Sequence, residues 1–252
     1  MLDASFLNGL GYPALVILLG YWVFGLTGFG SALVIIPLLS WQWPLSAIVP
    51  TVLLLDIPAS IAHTRLNLKH VRWSVVPKVM PFTILGAWLG SMVHSWGDSA
   101  WGLFVLGLYI AWVAVRGLQG QTQTSEPSSP LVNSMAGLLI GLIETLFGTA
   151  GPVVVAWLTR HERRIEDVRA TAPLLILITV CIALVSNGLS GRSDMAQALA
   201  QTLWLAPIAL IGGWLGHICN SHIQPMAVSK IIYAVLLVSG IGLLARSILI
   251  SD

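Results

Sequence analysis

The chain of 252 residues carries 12 Lys and Arg, 10 Asp and Glu and a formal net charge of +2, while 56% of its residues are apolar. Globular domains usually have about a quarter charged residues, so this composition excludes a soluble fold of this size. The small net charge and the lack of a basic arm exclude a nucleic-acid partner. Residues 4–55 contain no Asp, Glu, Lys or Arg, and the stretches 79–97, 99–115, 170–191, 195–229 and 231–245 are equally free of them. A bilayer-spanning helix needs about 20 mostly apolar residues. The expected class is therefore an all-α polytopic membrane protein whose first partner is the lipid bilayer. Its opening, MLDASFLNGLGYP, lacks the positive region of a cleaved signal peptide.

Eight apolar segments follow in order, at 13–40, 45–63, 73–93, 99–117, 131–158, 168–188, 198–219 and 226–249. The first is about twice the length of a half-span and is interrupted by GLTGFGS at 25–31; the fifth is interrupted in the same way by LFGTAGP at 146–152. Glycine frees the backbone to turn, and Pro152 has no N–H to donate. Each of these segments reads as two half-helices of about 10–13 residues around an unwound tip, either one kinked span or a re-entrant hairpin; 10–13 residues span only about half a bilayer. Trp41, Trp43, Trp73, Trp96 and Trp101 lie at segment ends and suit an interfacial belt. Lys78 and Lys230, also near ends, can reach water along their stems. Cys181 and Cys219 sit in apolar segments and read as small buried residues.

The polar stretch 118–130 reads as a linker between a first repeat, 1–117, and a second, 131–252. A shift of 120 residues pairs Gly28 with Gly148, Val34 with Val154, Thr51 with Thr171 and Leu54–Leu55 with Leu174–Leu175. A shift of 126 lays GAWLG at 86–90 on GGWLG at 212–216, and Pro81 on Pro207. Duplication with broken helices is a common architecture of secondary transporters. Gly86, Gly90, Gly212 and Gly216 stand one turn apart in pairs and suit close helix packing.

Charge bears on the topology. Cytoplasmic loops are enriched in Lys and Arg. If all eight segments crossed, the basic loops 63–73 and 159–169 would lie on opposite sides. If segments one and five are re-entrant, both loops are cytoplasmic, Arg116 joins them, and only Arg192 and Arg246 remain outside. The second topology has three crossings per half, which makes the repeats inverted.

The tips are the candidate substrate site. A half-helix that starts inside the membrane presents free N–H groups and a dipole that favour an anion. Thr27, Gly28, Gly30 and Ser31 form the first tip, and Gly148, Thr149 and Gly151 the second; Thr51 and Thr171 occupy matched positions on the following helices. The competing reading is that these glycines only permit close packing. Asp56 and Glu144 are ionisable groups at membrane depth and hence candidates for proton coupling; the competing reading of each is a protonated acid hydrogen-bonded to backbone. Their repeat mates are Ile176 and Phe24. His63, His70, His161, His217 and His222 near segment ends, and His94 in a loop, read as solvated. No catalytic residue, metal site or cofactor is expected, since no zinc spacing, phosphate-binding loop or nucleophile elbow is found. Besides a carrier, an anion channel and a membrane-embedded enzyme using the acids or histidines are the alternatives.

GLTGFGSALVIIPLL, a second helix with Thr51, the loop TRLNLKHVRW and PFTILGAWLG resemble the TauE/SafE family of sulfite and organosulfonate exporters, also called the 4-toluene sulfonate uptake permease family. GLIETLFGTAGPVVVAWL, RATAPLLILI and GGWLG resemble its second repeat. The resemblance implies secondary transport, by export, of sulfite, sulfoacetate or another organosulfonate across a bacterial inner membrane by alternating access. It leaves the homo-oligomeric state and the use of protons open. The glycine runs usual at each break are altered here, by Ser31 and Ala32 in the first and by Thr149, Ala150 and Pro152 in the second.

Overall fold

A computed structural model describes residues 4–66, 68–93, 100–119, 129–161, 165–189, 195–219 and, of the last segment, 233, 236–238, 240–245 and 247–248. Most of the linker 118–130 and of segment 226–249, together with His94, Trp96, Arg192, His222, Lys230 and Arg246, lies outside the described residues. The elements are α1 (Ala4–Thr27), α2 (Ser31–Leu39), α3 (Leu45–Leu66), α4 (Val76–Val93), α5 (Ala100–Leu118), α6 (Pro130–Phe147), α7 (Gly151–His161), α8 (Ile165–Leu189) and α9 (Met195–Cys219), with two short 3₁₀ turns between α3 and α4. Among the described residues the structure is all-helical. Six helices are long and apolar enough to cross a membrane: α3, the helical run 73–93 that ends in α4, α5, α6, α8 and α9.

The broken segments fold back on themselves. The Tyr12 hydroxyl near the start of α1 donates to the Leu38 carbonyl near the end of α2 at 2.8 Å, so α1 and α2 form a hairpin with its ends together. In the second hairpin, Asn133 at the start of α6 accepts from the Trp157 indole and meets His161 at the end of α7, both at 3.0 Å. Gly28, Gly30 and Gly148 have φ of 81°, 91° and 61°. L-residues with a Cβ rarely adopt such angles, which is why the chain turns there. The first arms are longer than a half-helix: α1 has 24 residues and α6 has 18, against 9 for α2 and 11 for α7.

The glycine seams explain the long arms. A Cβ on Gly86 would lie on the Leu138 carbonyl oxygen, and one on Gly141 on that of Thr83, so α4 and α6 touch backbone to backbone. Likewise a Cβ on Gly216 would lie on the Trp22 carbonyl and one on Gly25 on that of Gly213, which joins α9 to α1. Each long arm is held along its length by the helix that carries GAWLG or GGWLG in the other half of the sequence. Trp88 and Trp214, between those glycines, face outward, as lipid-exposed side chains do.

The two basic loops meet at one end of the bundle. Arg72 donates to the buried Asp167 carboxylate through Nε at 3.0 Å and Nη2 at 2.8 Å, and the Arg72 N–H donates to the Thr171 hydroxyl at 3.0 Å. His70 lies 3.6 Å from the other Asp167 oxygen. The second hairpin opens toward this end, because α7 leads directly into α8 there. The first opens toward the opposite end, where α2 turns into α3. Cys181 faces outward and Cys219 is half-buried, so Cys181 lies on the bundle's outer surface rather than within it.

Candidate functional site

The two tips meet in the interior. A Cβ on Gly151 would stand 3.5 Å from the Phe29 side chain and 3.6 Å from the Gly30 nitrogen. Between them is a narrow cavity of about 10 Å³, room for about one water, lined by Gly30–Leu33 of the first tip and by Gly148, Thr149, Gly151 and Pro152 of the second. Phe24, Asp56, Glu144 and Ile176 complete the lining. These last four are the two pairs that the 120-residue shift relates: Asp56 with Ile176, and Phe24 with Glu144. Related backbone positions thus face one cavity, and only one member of each pair is an acid.

Asp56 lies half-way along α3 and is 3% exposed. One of its oxygens accepts the Tyr21 hydroxyl at 2.7 Å and the Ser31 hydroxyl at 2.9 Å. Ser31 therefore spends its hydroxyl on Asp56, and its contribution to the cavity is the backbone at the start of α2. Glu144, 2% exposed, accepts the Ala150 N–H through Oε2 at 2.9 Å. It stops the open end of α7 much as an N-terminal capping carboxylate does. The Tyr109 hydroxyl donates to the Thr149 carbonyl at 2.9 Å and fixes the second tip from α5.

Thr149 differs from every other side chain at the tips. It is 2% exposed and lines the cavity, yet its hydroxyl has no hydrogen-bond partner. A buried hydroxyl without a partner costs about 1–3 kcal/mol, so a donor is held ready at this point.

The remaining sequence candidates lie elsewhere. Thr27 closes its own turn, with its hydroxyl 2.8 Å from the Val23 carbonyl and 2.5 Å from that of Phe29. Gly28 rests against the Arg169 carbonyl and His63, beyond the cavity wall. Thr51 bonds Ala47 and Gln201 of α9 at 2.9 and 2.8 Å, while Thr171 receives Arg72; neither lines the cavity. The sequence gives no site role to Phe24, Tyr21 or Tyr109, since aromatic residues are common in apolar segments and nothing local marks them, and it marks Pro152 only as part of the break. The mates of the two acids were the available signal for Phe24 and Ile176. Among the described residues no group of three or more His, Cys, Asp or Glu side chains comes together as a metal site would require.

Known sequences carry the same pattern. The profile of the family described as "Sulfite exporter TauE/SafE" matches residues 13–243. The "Probable inner membrane transporter protein TsaS" of Comamonas testosteroni is 35% identical over 192 residues, which cover 76% of this chain and 80% of that protein. The "Probable sulfite/organosulfonate exporter TauE" of Cupriavidus necator is 21% identical over 228 residues, 88% of each chain. No solved structure matches the chain. With nearly the whole length matched and a bundle of membrane-length helices around two broken hairpins, the chain belongs to the TauE/SafE family of membrane transporters.

Proposed function

We propose that the chain is a secondary carrier that exports a small sulfur oxyanion, sulfite or an organosulfonate, across a bacterial inner membrane by alternating access. The observation that carries this reading is the unpartnered Thr149 hydroxyl, buried in a cavity where the N-terminal ends of α2 and α7 converge. Backbone N–H groups at Gly30–Ala32 and Gly151 and the Thr149 hydroxyl are donors without a full charge. They suit an anion that must be released as well as bound. The two hairpins, opening to opposite ends, act as the inverted elements whose rocking exposes the cavity alternately. Thr51 and Thr171 support that motion from outside the cavity, by tying α3 to α9 and α8 to Arg72.

The acids shape the energetics. Two like charges about 4 Å apart repel by about 4 kcal/mol at an effective dielectric of about 20. An anion at the tips is therefore tolerated when Glu144 carries a proton, and anion and proton bind together. Asp56 already holds two hydroxyl donors, whereas Glu144 holds a single backbone N–H next to the anion position, so Glu144 is the coupling residue. An anion leaving a negative-inside cell also gains about 2.3 kcal/mol per charge per 100 mV. The test is sulfite exchange in proteoliposomes: a carrier accelerates uptake of labelled sulfite against preloaded unlabelled sulfite, and an open anion channel does not. Absence of sulfite and organosulfonate exchange alike refutes the substrate assignment.

A further inference from the structure

The two routes out of the cavity are related in backbone but opposite in chemistry. Below the first tip, the space over Gly28 is closed by Arg169, Pro173 and His63: the Arg169 carbonyl lies 3.2 Å from where a Cβ would be, and Pro173 Cγ and His63 Cε1 each 3.5 Å. Above the second tip, the same space over Gly148 is closed by Ile36, Val49 and Leu53 at 3.5–3.7 Å. The shift of 120 residues relates Gly28 to Gly148, Arg169 to Val49 and Pro173 to Leu53. It also relates His63 to Ala183, and the shift of 126 relates His217 to Ser91. Every nitrogen-bearing side chain of this set lies on one side.

These side chains come together in space. The His63 and His217 rings, from α3 and α9, meet edge to face at 6.1 Å, and the backbone of Arg169 on α8 meets His63 over Gly28. The other face of His63 packs edge to face on Phe24 at 5.8 Å, and Phe24 lines the cavity. One phenyl ring thus separates the cavity from a pair of imidazoles, with Arg169 of α8 beside them. The nearby acids do not cancel it: Asp167 is bound by Arg72 and faced by His70, and Glu166 is exposed on α8. The cluster lies at the end that carries Arg65, Lys69, Arg72 and Arg160, the cytoplasmic end by the distribution of basic residues.

We infer that His63, Arg169 and His217 form a vestibule that gathers a small anion on the cytoplasmic side and delivers it past Phe24 to the tips. This rests on reading the cavity as an anion site, and it gives the proposed export direction a structural cause. An approach that offers one guanidinium and two imidazoles on one face and an apolar one on the other load the carrier from the cytoplasm and release outward without a second trap.

The vestibule is tested through charge at a reporter thiol. In a background with Cys181→Ser and Cys219→Ser, His217→Cys is reacted with an anionic and with a cationic methanethiosulfonate reagent. The anionic reagent should be favoured several-fold over its ratio at a free thiol, and Arg169→Gln should lower that preference at least about 3-fold, as loss of one unit charge at this range does. His63→Cys serves as the reporter if His217→Cys does not fold. An unchanged ratio overturns the vestibule whatever the cavity transports. In membrane vesicles of either orientation, Arg169→Gln and His63→Asn should raise the KM for sulfite about 10-fold from the cytoplasmic face alone. An equal rise from both faces overturns the directional role. If the thiol ratio responds while Thr149→Val leaves sulfite binding unchanged, the vestibule stands and the cavity assignment falls.

Discussion

Replacing Thr149 by Val should move stability and binding in opposite directions. Val copies the shape of Thr and removes only the hydroxyl. In the substrate-free protein that hydroxyl is buried without a partner, so its removal relieves about 1–3 kcal/mol of desolvation cost; Thr149→Val should therefore melt at the same or a higher temperature than the parent. With anion bound, the hydroxyl donates to a charged acceptor, a bond worth about 1.5–3 kcal/mol. Its loss should weaken sulfite binding by about 10- to 150-fold, since each 1.36 kcal/mol is a factor of ten. The assay is thermal unfolding of purified protein alongside equilibrium binding of labelled sulfite. A lower melting temperature with unchanged affinity would refute the reasoning, because Thr149 would then be bonded within the protein and idle toward the ligand. Ser31→Ala is the contrast: Ser31 donates to Asp56 at 2.9 Å, so it should lose stability.

Sulfite should bind more tightly as pH falls, because a proton on Glu144 removes the repulsion between carboxylate and anion; Glu144→Gln should keep or tighten binding and flatten that dependence, and an unchanged pH profile would make Glu144 a cap for Ala150 alone. Gly216→Ala and Gly86→Ala should each cost about 1–3 kcal/mol or more by overpacking a backbone seam, whereas Gly188→Ala, with nothing within 4 Å of its new Cβ, should leave the melting temperature unchanged. Arg65→Cys and Arg160→Cys, each made without Cys181 and Cys219, should be labelled by an impermeant thiol reagent from the same side of the membrane; labelling from opposite sides would overturn the hairpin topology.

Composition and uncharged length alone determined that this chain lives in a bilayer. Glycine and proline placement determined where two segments break, since positive φ at Gly28, Gly30 and Gly148 is a local property of residues without a Cβ. The spacing of Gly86, Gly90, Gly212 and Gly216 likewise announced close packing, although not which helices would meet. Tertiary structure decided what the polar side chains do, because a hydroxyl or imidazole is defined by its neighbours and those come from afar. Thr51 and Thr171 look equivalent to Thr149 in sequence, yet Gln201 and Arg72 occupy them and nothing occupies Thr149. His63 and His217, which read as solvated helix ends, are 154 positions apart and become neighbours only because α3 and α9 pack directly on each other, as the Thr51–Gln201 bond also shows. Asp56 and Glu144 stood out as isolated acids; the fold set them on one cavity, opposite the Phe24 and Ile176 that the repeat assigns as their mates.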